Sequence, residues 1–379
     1  MKTPLAWRNL LHEHIRTGVA VAGVAFAVIL VLMQLGFFFT VERTATLVYD
    51  RLNFDIALLS HDYLHMGRAS HLPVERLYKA QELPEVRTAS PFWIGFALWR
   101  NADPEIRSRR GMMIMAFRPD DPVFKLREIQ DQSQKLKELR SVLVDRLSRP
   151  EFGPHTPGTI TEAGQTSIKV VGEYTMGTGF TADGGAITSD ATFFLLGTLM
   201  PPRAMSLGLV TLADGADADA VKRQLQAIMP GDTQVMTRAD LRAYEQHHWV
   251  VTTSVGTIFG LGVGVAMLVG LAIVYQVLSS DIANRIPEYA TLMAMGYGRR
   301  YISGVVIRQA LMLAVAGFVP GWLISYVLYK VTAAGANLPM KMTPGLTISV
   351  LLLNVAMCAT SGLLSLRKVN TADPADLFV

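Results

Sequence analysis

Apolar positions along this chain gather into four long runs, spaced as one, a mostly polar gap of roughly 200 residues, and three more. The runs cover 18–41, 250–278, 301–329 and 345–366. Each exceeds the roughly 20 residues with which a helix crosses ~30 Å of hydrocarbon, and each is almost free of charge. The pattern predicts an α-helical membrane protein with four transmembrane helices and one large domain, 42–249, outside the bilayer.

Inside the polar gap the periodicity changes. Phe54 to Ser60 reads as a strand, Pro73 to Leu83 as a helix with Pro73 in its first turn, and Val86 to Trp99 as strand again. Further on, Ser206 to Ala213 reads as a strand closed by the Asp214-Gly215 turn. Ala218 to Ile228 follows as a helix with Val221, Leu225 and Ile228 on one face, and Thr233 to Thr237 as a second strand. Two β-α-β units thus flank a middle section, which predicts a large α/β domain with an inserted subdomain. The middle section is expected to hold a charged helix over 123–147 and Gly/Thr-rich stretches over 153–164 and 177–185. Thr237 is placed to cap a helix starting at Arg238, with Asp240 at its third position. That helix is expected to run through His247 and Trp249 directly into the second apolar run.

Charge sets the orientation. Lys2, Arg8 and Arg16 precede the first run; Arg285, Arg299 and Arg300 separate the second from the third; Arg367 and Lys368 follow the fourth. The 330–344 loop has only Lys330 and Lys341. The positive-inside bias puts both termini and the 279–300 loop in the cytoplasm, with 42–249 and 330–344 outside. A cleaved signal peptide is the competing reading of the first 41 residues. Its apolar region would be too long, and no small-x-small site follows Phe37, Phe38 and Phe39. The sole cysteine, Cys358, lies in the fourth run, so the outer domain must stand on its own core. A net charge of +4, divided among membrane flanks, makes no case for nucleic-acid binding. These features fit a multi-pass protein of a bacterial inner membrane with its large domain in the periplasm.

Candidate chemistry changes the picture little. His61 and His65 are four apart, but they follow a strand pattern and no HExxH motif is present. His247-His248 sits where a helix would meet lipid headgroups. No GxSxG context surrounds a serine, and no GxxxxGK[ST] phosphate loop occurs. No catalytic residue, metal ligand or cofactor is therefore assigned to this chain. Arg308 is the one ionisable side chain well inside a run, and no Asp or Glu relay accompanies it, which argues against an ion-coupled transporter.

Two cytoplasmic stretches are built for contact. Residues 1–17 hold an amphipathic helix, with Trp7, Leu10, Leu11 and Ile15 on one face. The 279–300 loop carries a short helix opened by Pro287 and Glu288 and closed by Gly296, with Tyr289, Leu292, Met293 and Met295 unusually apolar for a cytoplasmic loop. It either folds back on the membrane or docks into a protein groove, and docking is preferred. In the second run, Gly256, Gly260 and Gly264 form a double small-xxx-small pattern, suited equally to packing within the chain or to a dimer seam. Pro320 is expected to bend the third run.

The chain resembles the four-span ABC permeases of the MacB and FtsX type, and among them the DevC family of the DevBCA-type exporters. The resemblance rests on VLVDRLSRPEFGP at 142–154, TADGGAITSDATFF at 181–194, the 259–298 stretch containing YQVL and EYATLMAMGY, GFVPGW at 317–322, and DPADLF at 373–378. It implies that Glu288, Tyr289, Leu292, Met295 and Gly296 couple to a separate cytoplasmic ABC ATPase, which binds ATP and magnesium. It further implies a homodimer, a periplasmic membrane-fusion (HlyD-like) adaptor, a TolC-like outer-membrane duct, and export of an envelope lipid, glycolipid or other amphiphile by mechanotransmission. The alternative is an FtsX-like regulator that activates a periplasmic cell-wall hydrolase and transports nothing. The ~208-residue outer domain, larger than FtsX-type domains, favours the exporter. His61-Asp62 and Arg285-Ile286-Pro287 depart from the family pattern.

Overall fold

The computed structural model describes residues 14–106, 108–284, 286–336 and 339–371. Most of the expected amphipathic helix over 1–17, and the DPADLF stretch, lie outside the described residues. The chain divides into a helical unit, Met1–Thr40 with Ser254–Val379, and an α/β unit, Val41–Thr253.

Helix α1 (His14–Ala45) leads into a short helix α2 (Leu47–Arg51). The α/β unit continues with β1 (Ile56–Ser60), β2 (Leu72–Pro73), α3 (Glu75–Gln81), β3 (Val86–Arg100), β4 (Arg109–Phe117), α4 (Arg127–Gln130) and β5 (Ser141–Asp145). It then adds β6 (Ile160–Ala163), β7 (Thr166–Tyr174), β8 (Gly185–Ser189), α5 (Asp190–Leu195), β9 (Ala204–Met205) and β10 (Leu207–Leu212). Helix α6 (Ala218–Ile228), β11 (Thr233–Thr237) and α7 (Arg238–His247) complete it. One sheet runs in the order β11-β1-β10-β3-β4-β8-β5-β7-β6, and the pair Trp99–Ala163 joins β3 back to β6. Strands β3, β4, β8, β5, β7 and β6 therefore make a ring, and β3 also carries the open half-sheet formed with β10, β1 and β11.

Both faces of this sheet are covered, and the sequence of the strands follows from that. On one face Leu77 of α3, Phe193 of α5 and Leu225 of α6 share a core with Trp93, Ile114 and Val210. On the other, Tyr49 of α2, Ile129 of α4 and Leu241 of α7 pack with Phe92, Met115 and Leu209. Strands buried on both faces read as continuous apolar runs without alternation, as IALLS in β1 and SVLVD in β5 do, every residue being buried.

The expected charged helix over 123–147 is not formed. The segment holds only the single turn α4, a 3-10 turn over Ser133–Lys137, and then β5. Gln132 Nε2 donates to the Glu128 and Glu173 carbonyls at 2.6 and 3.0 Å, and Arg140 takes a positive φ of 65°. Beyond that turn, pairing of the β-branched Val142 and Val144 with β7 and β8 outweighs the helix propensity of the charges before them.

A second correction concerns α7. It begins as its residues predict: Thr237 Oγ1 accepts the Asp240 N–H at 3.2 Å, and Asp240 Oδ2 accepts the Thr237 N–H at 3.0 Å. It does not continue unbroken into the next long helix. His248–Thr252 widen into one turn of π-helix, and Thr253 is extended, φ −86° and ψ 153°. Four successive β-branched residues, Val250 to Thr253, crowd an α-helical backbone, and Thr253 Oγ1 bonds the Trp249 carbonyl at 2.7 Å.

The helical unit continues with α8 (Ser254–Asn284), α9 (Ile286–Ala294), α10 (Arg299–Ala336) and α11 (Pro344–Thr371). Among the described residues, four stretches are long and apolar enough to cross a membrane: Thr17–Ala45, Ser254–Asn284, Arg300–Gly335 and Pro344–Leu364. Pro320 lies inside α10 without ending it. Helices α1 and α10 meet closely. A Cβ on Gly317 would fall 2.5 Å from Val24 Cβ, and one on Gly321 would fall 2.8 Å from the Ala25 carbonyl oxygen. Tyr329 fills the notch at Gly36 and donates to the Leu32 carbonyl at 2.5 Å. Asn354 on α11 donates to the Ala314 carbonyl of α10 at 2.9 Å.

Candidate coupling site

The residues assigned to coupling fall on α9 and the turn after it. Pro287 and Glu288 occupy the first turn, where a missing donor costs nothing and a carboxylate faces the positive end of the helix dipole. Thr291 Oγ1 bonds back to the Pro287 carbonyl at 2.9 Å. At the other end Met295 N donates to the Thr291 carbonyl at 3.0 Å and Tyr297 N to the Leu292 carbonyl at 3.1 Å, around Gly296 at φ +92°. That is a left-handed helix stop, which a glycine adopts without steric penalty. The Tyr297 and Tyr301 rings then meet at a tilt of 35° with centroids 4.8 Å apart, leading into α10.

The side chains of α9 divide by direction. Leu292 is half-buried against Ile282 of α8 and Ile302 and Val306 of α10, so it fastens the short helix to its own unit. Met295 is 63% exposed, and Glu288 and Thr291 also face outward. The Tyr289 side chain lies outside the described residues. The outward surface is thus a methionine beside a carboxylate and a hydroxyl, a small adaptable apolar contact with a polar rim.

The glycines of α8 behave differently from those of α10. A Cβ on Gly264 would meet nothing within 4 Å, and one on Gly260 would make only ordinary contact with Phe38. Neither position is used for close packing inside the chain. Gly262, two residues from each of them, is instead close to α1, with Gln34 against it, as is Gly270 with Ala27. Sequence reading missed the tight glycines 36, 317 and 321; GFVPGW contained two of them, four residues apart, which was the available signal.

The α/β unit holds a further polar cluster that the sequence did not disclose, where α7 and its π-turn meet α2 and the loop after β1. Glu245 is fully buried there with Tyr49 and Tyr63. His65, one of the two histidines spaced as candidate ligands, stacks on His248 at 4.8 Å. Among the described residues no group of three or more His, Cys, Asp or Glu side chains comes together as a metal site.

Residues 249–374, about a third of the chain, match the family model described as FtsX-like permease C-terminal. That matched stretch spans α8 to α11 and includes the α9 site. No curated protein matches the chain. Among solved structures, the chain is similar to the periplasmic region of MacB from Actinobacillus actinomycetemcomitans, at 8% identity over 52% of this chain and 94% of that one, TM-score 0.34. It is also similar to the extracellular domain of the noncanonic ABC-type transporter YknZ from Gram-positive bacteria, at 14% identity over 48% and 98%, TM-score 0.33.

Proposed function

We propose that this chain is the permease subunit of a tripartite ABC exporter of the DevC type. It sits in a bacterial inner membrane, with the α/β unit in the periplasm, and passes ATP-driven motion from a separate ATPase to that unit. The observation that carries the reading is α9. It is a short capped helix with an outward methionine, set between two apolar helices inside a stretch that matches the FtsX-like permease model. The chain's own sequence has no phosphate loop, so ATP and magnesium belong to the partner. The homodimer is part of the same proposal: the open Gly260 and Gly264 positions of α8 are free for close approach by a second copy. Adaptor, duct and an amphiphilic cargo complete it.

The test separates docking from anchoring. Met295→Asp places a carboxylate into the apolar contact and leaves the packing of α9 intact, whereas Leu292→Asp unfastens α9 from Ile282, Ile302 and Val306. An unpaired charge in such a contact costs several kcal/mol, and about 1.4 kcal/mol is tenfold in binding. Co-purification of the ATPase, normalised to permease abundance, should therefore fall by more than about tenfold with Met295→Asp. Normal ATPase recovery with Met295→Asp would show that the surface rests on the membrane and refute the coupling role. Recovery of a cell-wall hydrolase with the wild-type complex in place of an adaptor would favour the regulator reading.

A further inference from the structure

We propose that Glu245 is a proton-binding site that latches α7, and the π-turn after it, onto Tyr49 of α2 and Tyr63 of the loop following β1. The geometry is unusual for a carboxylate. Glu245 is 0% exposed, Tyr49 0% and Tyr63 2%. The Tyr63 hydroxyl and, at 3.2 Å, the Tyr49 hydroxyl each lie within hydrogen-bond reach of Glu245 Oε1 and of each other, and their two protons fill only two of these three contacts. The Met66 N–H and the Trp249 indole N–H also incline toward the carboxylate, yet Oε2 and Trp249 Nε1 are both buried without a hydrogen bond of good geometry. A proton on the carboxyl supplies the third contact by donating to a tyrosine oxygen, and among the described residues no lysine or arginine pairs with Glu245.

The cradle sits where α7 is pinned from several sides. Arg242 pairs with Asp50 at 2.7 Å, Tyr244 donates to the Tyr63 carbonyl at 3.1 Å, and Arg238 Nη2 reaches the Leu52 carbonyl at 2.9 Å. Glu245 is the one buried member of that set, and three residues later the helix opens into its π-turn. Changing its charge therefore acts on the segment that joins α7 to α8 in the chain.

Burial pushes the Glu245 carboxyl up to about 7, against the pull of the tyrosine hydroxyls, the Met66 N–H and the Trp249 indole. An acid whose closed-state value lies above its open-state value binds its proton more tightly when closed. The latch is then favoured at low pH and loosens as pH rises from the open-state value of 4.5 through about 7. The other titratable groups facing the joint act on the acid side. His65 is held below its usual range by burial and by His248 and Arg68, and His248 by burial and by His247, so their protonation on acidification opposes the stack. The alkaline limb belongs to Glu245.

The experiment uses the full chain in lipid nanodiscs and does not depend on export. The carboxylic-acid C=O stretch is followed by infrared difference spectroscopy between about pH 6 and pH 8, and amide exchange over 238–253 is measured at the same two conditions after correction for the intrinsic rate. In the wild type the acid band is lost on going to the higher pH and exchange quickens by about tenfold, the ratio that values of 4.5 and about 7 imply. In Glu245→Gln the band is absent and the exchange becomes insensitive to pH. Tyr63→Phe removes a donor that favours the anion and moves the midpoint of the band upward, which keeps the test decisive if Glu245→Gln does not fold. A band that survives Glu245→Gln, exchange in the wild type that ignores pH, or a midpoint unmoved by Tyr63→Phe would each overturn the proposal.

Discussion

At the scale of single residues, the contacts that matter most join positions far apart in the chain. Tyr329 reaches the Leu32 carbonyl only because Gly36 has no side chain: a Cβ there would lie 2.1 Å from the tyrosine oxygen and 2.4 Å from Cζ. A ring held at both ends cannot swing away cheaply. Gly36→Ala is therefore expected to destabilise the protein by about 1–3 kcal/mol despite alanine's better helix propensity. Gly18→Ala, where an added Cβ meets nothing within 4 Å, should be neutral or slightly stabilising. Thermal unfolding of both variants in detergent checks the pair, and equal midpoints would show that the notch is slack. Glu245 was illegible in the sequence for the same reason. Its partners Tyr63 and Tyr49 lie 182 and 196 residues away, and nothing local to α7 distinguishes it from an exposed helical glutamate.

Single elements were legible where their determinants are local. The capping box of α7 lies within four residues, and Thr237 and Asp240 form both of its bonds. Thr237→Ala removes the side-chain acceptor and should cost about 1 kcal/mol, lowering the unfolding midpoint of the α/β unit by about 2–4 °C. An unchanged midpoint in a thermal scan would mean that Arg238 and Arg242 hold the helix start without the cap. Helix α6 was read to the residue because Val221 and Leu225 mark its buried face. The 123–147 segment misled because its charges satisfy helix propensity while its fate is decided by β7 and β8, strands that follow it in the chain. Likewise the unbroken helix expected through Trp249 overlooked the four β-branched residues that follow Trp249. On α9 the sequence placed the helix and its glycine stop correctly. It gave no means of separating Leu292, which faces its own unit, from Met295, which faces out.

For the whole molecule, the division between apolar helices and an α/β unit was written in hydropathy alone, whereas the ring of strands was not, because it closes where the end of β3 meets β6, around Trp99 and Ala163, two stretches about 60 residues apart in the chain. The orientation rests on the basic residues at the ends of the apolar helices and is directly measurable. Under the proposed orientation, alkaline phosphatase fused after Pro150 should be active, and fused after Gly298 inactive, since the first lies in the α/β unit and the second beside Arg299 and Arg300. Activity at Gly298 would reverse the arrangement and remove α9 from the cytoplasm.

The order of strands also sets a timetable for biogenesis. The ring strands, β3 to β8, occupy the contiguous stretch 86–189 and can close as soon as that stretch has emerged. Strand β1 is made earlier, yet it pairs only with β10 and β11, roughly 150 residues downstream. At typical synthesis rates that is a delay on the order of 10 s. During it IALLS waits with both edges unpaired, the period in which a nascent chain of this protein most needs a chaperone's cover.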